Sequence, residues 1–282
     1  MKFNKNLVYT LWSAGIILCV ILAVFALLFT SCKKQSSETG DTDFSTVTER
    51  PQLNTDATPA PDTPEETPVP VETPTPVRLT ATAAAGMDYQ DKIIFLGDST
   101  TYGLKYYGVL SGGKDTTQVW TPSSGTLTLS NYAVATIVYP ETGEEITIED
   151  AVSRKKPEYL LITLGVNGVS FMDEEWFIRD YTALVELVQK ASPETKIILN
   201  SIYPVADSYK YKADISNEKI KAANGWIERI AEATGVRFLY SFETVVGADG
   251  NLPEESQNGD GLHLTGEAFN TVLDYVRTHA YQ

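Results

Sequence analysis

The sequence predicts an α/β fold with a mostly parallel sheet covered on both faces by helices, and three observations carry that reading. Lys92-Ile93-Ile94-Phe95-Leu96-Gly97, the segment 159–165 and the segment 196–201 are almost uninterrupted apolar runs of strand length. Continuous apolar runs, unlike alternating ones, mark strands buried on both faces. Between them lie segments with helical spacing, such as 174–191, where Trp176, Tyr181, Leu184, Leu187 and Val188 recur on one stripe. Each main run also stops at a turn rich in glycine and polar residues, which is where open α/β sheets place their ligands. Strands alternating with helices imply crossover units rather than hairpins. No internal repeat is present.

The chain opens with Lys2 and Lys5 before a nearly continuous apolar run over 7–30. That is a secretory leader by its charge pattern, and it is long enough to span a bilayer. Leu28-Phe29-Thr30-Ser31-Cys32 follows and resembles a bacterial lipobox, with Cys32 as the lipidation site. An uncleaved anchor is the alternative. Either way the remainder is expected outside the cytoplasmic membrane and tethered to its outer face. From residue 33 to 85 Thr, Pro and Glu dominate and Phe44 is the lone aromatic residue. Such a segment cannot bury enough apolar surface to offset its ordering entropy, so a disordered stalk is expected.

The folded domain is expected over 86–282. After the strand at 92–97 comes a short helix or irregular segment over 99–110, broken by Gly108, Gly112 and Gly113. A short strand at 118–120 leads into Thr121-Pro122-Ser123-Ser124-Gly125, a loop. Two β-rich runs around Glu141-Thr142-Gly143 predict a hairpin insertion at about 132–148. A helix over 148–156 is expected to end at Pro157. The strand at 159–165 stops at Val166-Asn167-Gly168. A strand at 196–201 follows the helix at 174–191. The helix at 216–234 ends before Gly235, a residue suited to the left-handed cap. A short strand over 236–240 precedes the last helix, which Thr265 caps and which carries Ala268, Val272 and Val276 on one stripe.

The formal charge of −15 is distributed unevenly: +2 over 1–32, −5 over 33–85 and −12 over 86–282. An acidic domain of that kind is repelled by nucleic acid and anionic lipid. Cys19 and Cys32 are the only cysteines, so the exported part has no disulfide, thiol nucleophile or thiolate-ligated metal. Neither a metal nor a cofactor is expected.

Ser99, Asn167 and the pair Asp260 and His263 all sit in glycine-punctuated loops. Acyl transfer by serine needs a nucleophile, a base, a group that orients the base, and donors for the oxyanion. One serine, one histidine, one aspartate and one asparagine supply that set. Taken singly, each has a bland reading: Gly97-Asp98-Ser99 as a capped turn, Asn167-Gly168 as a turn pair, His263 as a loop histidine. His279 is read as structural, and Tyr102 and Trp120 as packing residues or the lining of a sugar site.

Gly97-Asp98-Ser99, Gly165-Val166-Asn167 and Asp260-Gly261-Leu262-His263, in that order, resemble the first, third and fifth blocks of the SGNH (GDSL-type) hydrolases. The resemblance covers roughly 90–280. It implies a flavodoxin-like three-layer α/β/α sandwich and metal-free ester hydrolysis. It also implies Ser99 as nucleophile, His263 as base and Asp260 as orienting acid. The oxyanion hole would then comprise the Ser99 N–H, a glycine N–H assigned to Gly125, with Gly113 the alternative, and the Asn167 amide. Gly168 departs from the family's pattern, which usually has aspartate there. The expected activity is that of a serine esterase removing acyl groups, acetyl above all, from cell-wall or other polysaccharide. A lipase or lysophospholipase is the rival within the family, and a catalytically inactive glycan-binding module the rival outside it. The partners expected are a small ester or acylated glycan and, through the amino-terminal anchor alone, the membrane, with the domain a monomer.

Overall fold

The computed structural model describes residues 76–282. Its elements in chain order are α1 (Gly86–Gln90), β1 (Ile93–Gly97), α2 (Ser99–Tyr106), β2 (Val119–Trp120), β3 (Thr136–Val138), β4 (Glu145–Thr147), α3 (Ile148–Lys155), β5 (Tyr159–Thr163), α4 (Glu174–Ala191), β6 (Lys196–Asn200), α5 (Asn217–Thr234), β7 (Arg237–Leu239), α6 (Phe242–Val245) and α7 (Gly266–Thr278). Five strands pair in the order β2-β1-β5-β6-β7, all parallel. β3 and β4 form a separate antiparallel pair, the predicted hairpin, with Ile137 opposite Ile146 and the turn glycine Gly143 at φ 75°.

The apolar runs are continuous because each strand is covered twice. Ile94, Leu96, Leu160, Ile162, Ile197 and Leu199 join the residues of α3, α4 and α5 in one core. Their alternate neighbours Ile93, Phe95, Leu161, Ile198 and Leu239 join α1, α2, α6 and α7 in the other. This is the three-layer α/β/α sandwich. Because β1 pairs with β2 on one side and β5 on the other, the strand order reverses at β1, and a crevice opens beyond the carboxyl ends of β1 and β5. Ser99 follows β1 and Asn167 follows β5, so both reach that crevice.

The folded unit begins earlier than residue 86. Phe238 N–H donates to the Val77 carbonyl at 2.9 Å and Leu79 N–H to the Phe238 carbonyl at 2.8 Å, so residues 77–79 extend the sheet beside β7. Leu79 is buried, and Arg78 forks onto Glu228 at 2.9 and 2.7 Å while lying 4.7 Å from the centre of the Tyr240 ring. Three residues of edge strand were diluted by the Thr-, Pro- and Glu-rich composition around them. The leader over 1–32, Cys32 and the stalk up to residue 75 lie outside the described residues. Among the described residues no helix is long and apolar enough to cross a membrane.

Other boundaries shift for local reasons. α2 stops at Tyr106, well short of Gly112. α3 stops at Lys155, because Lys156 precedes Pro157 and takes a left-handed conformation, φ 47°; a residue before proline is sterically disfavoured in the helical region. At the other end of the chain, Tyr281 packs 5.9 Å from Tyr159, the first residue of β5, and Thr82 and Ala85 donate to the carbonyls of Thr278 and Arg277. Both ends of the folded unit thus meet near the amino ends of the strands.

Candidate active site

Gly97 closes β1 because no side chain fits there: a Cβ would lie 2.0 Å from Thr101 Oγ1 and 2.6 Å from the Thr163 carbonyl. The chain turns at Asp98, the N-cap of α2, and Ser99 becomes the first residue of that helix. Asp98 Oδ1 accepts from Thr100 N–H at 2.9 Å and from Thr100 Oγ1–H at 2.7 Å. The Ser99 hydroxyl therefore stands at a helix start, where N–H groups and the helix dipole favour negative charge.

His263 comes from the loop between α6 and α7. Gly261, at φ 82°, brings the backbone against Tyr209, where a Cβ would lie 2.7 Å from the Tyr209 Cα. Asp260 Oδ1 accepts from the N–H groups of Leu262 at 2.8 Å and His263 at 2.9 Å, which locks the loop. Its other oxygen lies 2.7 Å from His263 Nδ1, and His263 Nε2 lies 2.8 Å from Ser99 Oγ. A carboxylate on Nδ1 fixes the proton there and leaves Nε2 as the acceptor facing the serine. Burial works to raise the Asp260 pKa, but the N–H donors and the imidazole outweigh it and hold the carboxyl below its usual range.

Asn167 lies in the same crevice. Its Nδ2 donates to Asp98 Oδ2 at 2.9 Å and to the Leu127 carbonyl at 3.2 Å. Asp98 is fully buried, and burial pushes its carboxyl up to about 6 against the pull of the Thr100 bonds and of His263. It thus does two jobs, capping α2 and holding the Asn167 amide. Sequence reasoning saw only the cap. Gly168 takes no part in that hold; a Cβ there would lie 2.7 Å from Met172 Sδ, so an aspartate would require Met172 to move.

Gly125 is beside the nucleophile: a Cβ on it would be 3.7 Å from Ser99 Cβ. Its N–H, however, donates to the Pro122 carbonyl at 3.0 Å and closes a turn. The expectation that Gly125 offers a free N–H to an oxyanion is therefore corrected. Its φ of 73° gives the turn its reason for a glycine.

The remaining candidates separate cleanly. Trp120 is fully buried, 5.9 Å from Tyr139, and is a packing residue. Tyr102 is 45% exposed and lines a cleft of about 310 Å³ together with Ser99, Tyr106, Tyr107, Asn258 and His263. His279 stacks on Tyr275 at 3.7 Å, remote from the crevice in its contacts. Among the described residues no group of three or more His, Cys, Asp or Glu side chains is placed to hold a metal ion.

The model of the GDSL-like lipase/acylhydrolase family matches residues 95–269. The chain belongs to that family. The match takes in the end of β1, Ser99, Asn167, Asp260 and His263, so every site residue placed above lies in the GDSL-like region. Among solved structures, a Streptococcus pneumoniae protein provisionally assigned as a platelet activating factor is similar at 20% identity and a TM-score of 0.51, over 67% of this chain and 84% of that one. A GDSL-like lipase from Bacteroides thetaiotaomicron is similar at 21% identity and a TM-score of 0.48, over 66% and 85% of the two chains. At that identity the first likeness speaks for the fold alone. No curated protein matches the chain in sequence.

Proposed function

We propose that this GDSL-type domain is a serine esterase that removes small acyl groups, acetyl above all, from saccharide hydroxyls. The observation that carries the reading is the unbroken chain Ser99 Oγ–His263 Nε2 at 2.8 Å and His263 Nδ1–Asp260 at 2.7 Å. Ser99 Oγ attacks the ester carbonyl and His263 Nε2 takes its proton. Asp260 keeps the other proton on Nδ1 and stabilises the imidazolium. The carbonyl oxygen, now an alkoxide, lies at the start of α2, where the Ser99 N–H is a donor. Asn167 joins when its N–H turns from the Leu127 carbonyl, the longer of its two bonds, to the oxyanion. The imidazolium then gives its proton to the departing sugar oxygen. Water, deprotonated by His263, releases the acid and restores Ser99. Asp98 is a positioning residue acting through Asn167.

The small acyl group follows from the cleft, about 310 Å³ in volume and bordered by Tyr102, Tyr106 and Tyr107. The saccharide follows from the exposed faces of Tyr102 and Tyr106, on which a sugar ring can stack, and it suits the export and surface tethering that we propose from the amino-terminal sequence. The test is hydrolysis by the full-length chain of nitrophenyl acetate, nitrophenyl octanoate and an acetylated xylan, beside Ser99→Ala. Acetate release that vanishes in the variant supports the reading. Preference for the octanoyl ester would favour a lipase, and no turnover of any ester would favour a binding module.

A further inference from the structure

Beside the catalytic cleft, on the far side of Tyr102, lies a second cavity of about 470 Å³ lined by Tyr102, Lys105, Thr121, Ser123, Ser124 and Gly125 among others. Tyr102 borders both spaces. Ser99, Tyr102 and Tyr106 fall on one stripe of α2, so the two tyrosines stand one and two turns from the nucleophile. The residues of its wall carry four hydroxyls and one ammonium. Within the described residues no carboxylate lies within ion-pair distance of Lys105. Lys114, whose ammonium lies 5.6 Å from the centre of the Tyr106 ring, is likewise without one. Eight other lysines or arginines of the described residues are paired with acids. Two unpaired cations thus flank the nucleophile's helix in a region whose formal charge is −12. Asp260, the carboxylate of the cleft, is occupied by His263.

We propose that this second cavity is a subsite for a carboxylate-bearing sugar unit next to the esterified one, with Lys105 as the carboxylate's partner and Tyr102 as the platform between the two rings. The inference rests on the esterase reading and names its substrate class: an acylated acidic saccharide. The bland alternative is that Lys105, in the last turn of α2, serves only the helix dipole. That role affects stability and does not discriminate between substrates. The shared chemistry has two sources, a uronic acid or the lactyl ether of muramic acid.

The experiment measures kcat and KM of the full-length chain on acetylated oligogalacturonate, on an O-acetylated muramic-acid glycan and on neutral acetylated xylo-oligosaccharide. Nitrophenyl acetate is the control for chemistry. Wild type should prefer one acidic arm over the neutral one, and that arm names the source. In Lys105→Gln the acidic-over-neutral ratio of kcat/KM should fall about tenfold, carried by KM on the acidic arm, as expected for one lost ion pair in a half-exposed site. Lys105→Arg should keep most of the ratio. Equal turnover of acidic and neutral arms by wild type, or an equal fall on both in Lys105→Gln, overturns the subsite. Failure of wild type to hydrolyse nitrophenyl acetate overturns the esterase reading, and the subsite with it.

Discussion

Replacing Asp98 by asparagine removes a charge that the fold holds without water. Asp98 is fully buried and accepts three hydrogen bonds, two from Thr100 and one from Asn167, yet burial still leaves its carboxyl at about 6, against 3.8 in an ordinary aspartate. A shift of about 2 units is worth roughly 3 kcal/mol. The folded-state value is raised above the unfolded one, so the unfolded chain ionises first as pH rises. Stability from this group is then complete below about pH 4 and falls until the folded form also ionises, near pH 6. About 2 of the roughly 3 kcal/mol should disappear between pH 4.5 and 8. The Asp98→Asn chain lacks this dependence. It also loses an acceptor, because its amide oxygen can still serve Thr100 but its amide nitrogen cannot accept from Asn167, and that costs about 1–3 kcal/mol at all pH values. The assay is urea unfolding of both chains at pH 4.5, 6 and 8. The wild-type advantage should shrink by about 2 kcal/mol from the lowest pH to the highest. An advantage independent of pH would show that Asp98 is not a strained carboxylate and would refute the reasoning.

Ser99→Ala should abolish ester turnover with a melting temperature close to wild type, and a fluorophosphonate should label Ser99 alone, checked by mass spectrometry of the tryptic peptide. Asn167→Ala should lower kcat by about 10²–10³ with little change in KM; Asn167→Asp should be at least as damaging, since it places a second carboxylate against Asp98, and near-normal turnover in that variant would remove the oxyanion role. A chain starting at residue 87 should melt about 4–10 °C below one starting at residue 76, because it loses the burial of Leu79 and two backbone bonds to Phe238. Cys32 should carry the lipid in the membrane-bound protein, and an intact segment over 1–30 in its mass spectrum would favour the uncleaved anchor.

The layered fold was legible because burial on both faces demands continuous apolar strands, and Leu160, Ile162 and Leu161 need no partner chain to announce it. The three site loops were legible because glycine is required wherever a polar side chain must leave a strand end at close quarters, as Gly97 shows. What escaped had no one-dimensional mark. Asp98 reads locally as a cap, and its grip on Asn167 spans 69 positions. The N–H of Gly125 is taken by a carbonyl three residues back; the pattern Pro122 to Gly125 does favour such a turn, and that signal went unused. Val77-Arg78-Leu79 was hidden by averaging: three residues decide a sheet edge, and composition is read over many more.

The meeting of the two ends of the folded unit near the amino ends of the strands sets the catalytic rim at the opposite pole. Gln282 Nε2 donates to the Thr80 carbonyl at 3.2 Å, so the entering and departing segments leave side by side. A bead, electrode or fusion partner coupled at residue 76 of a trimmed chain or at Gln282 then sits behind the molecule, and the Ser99 face looks outward into bulk solution. Coupling through surface lysines instead risks capture by Lys105 or Lys114 and turns that face towards the support. Terminal coupling should keep access to polymeric substrates that lysine coupling blocks.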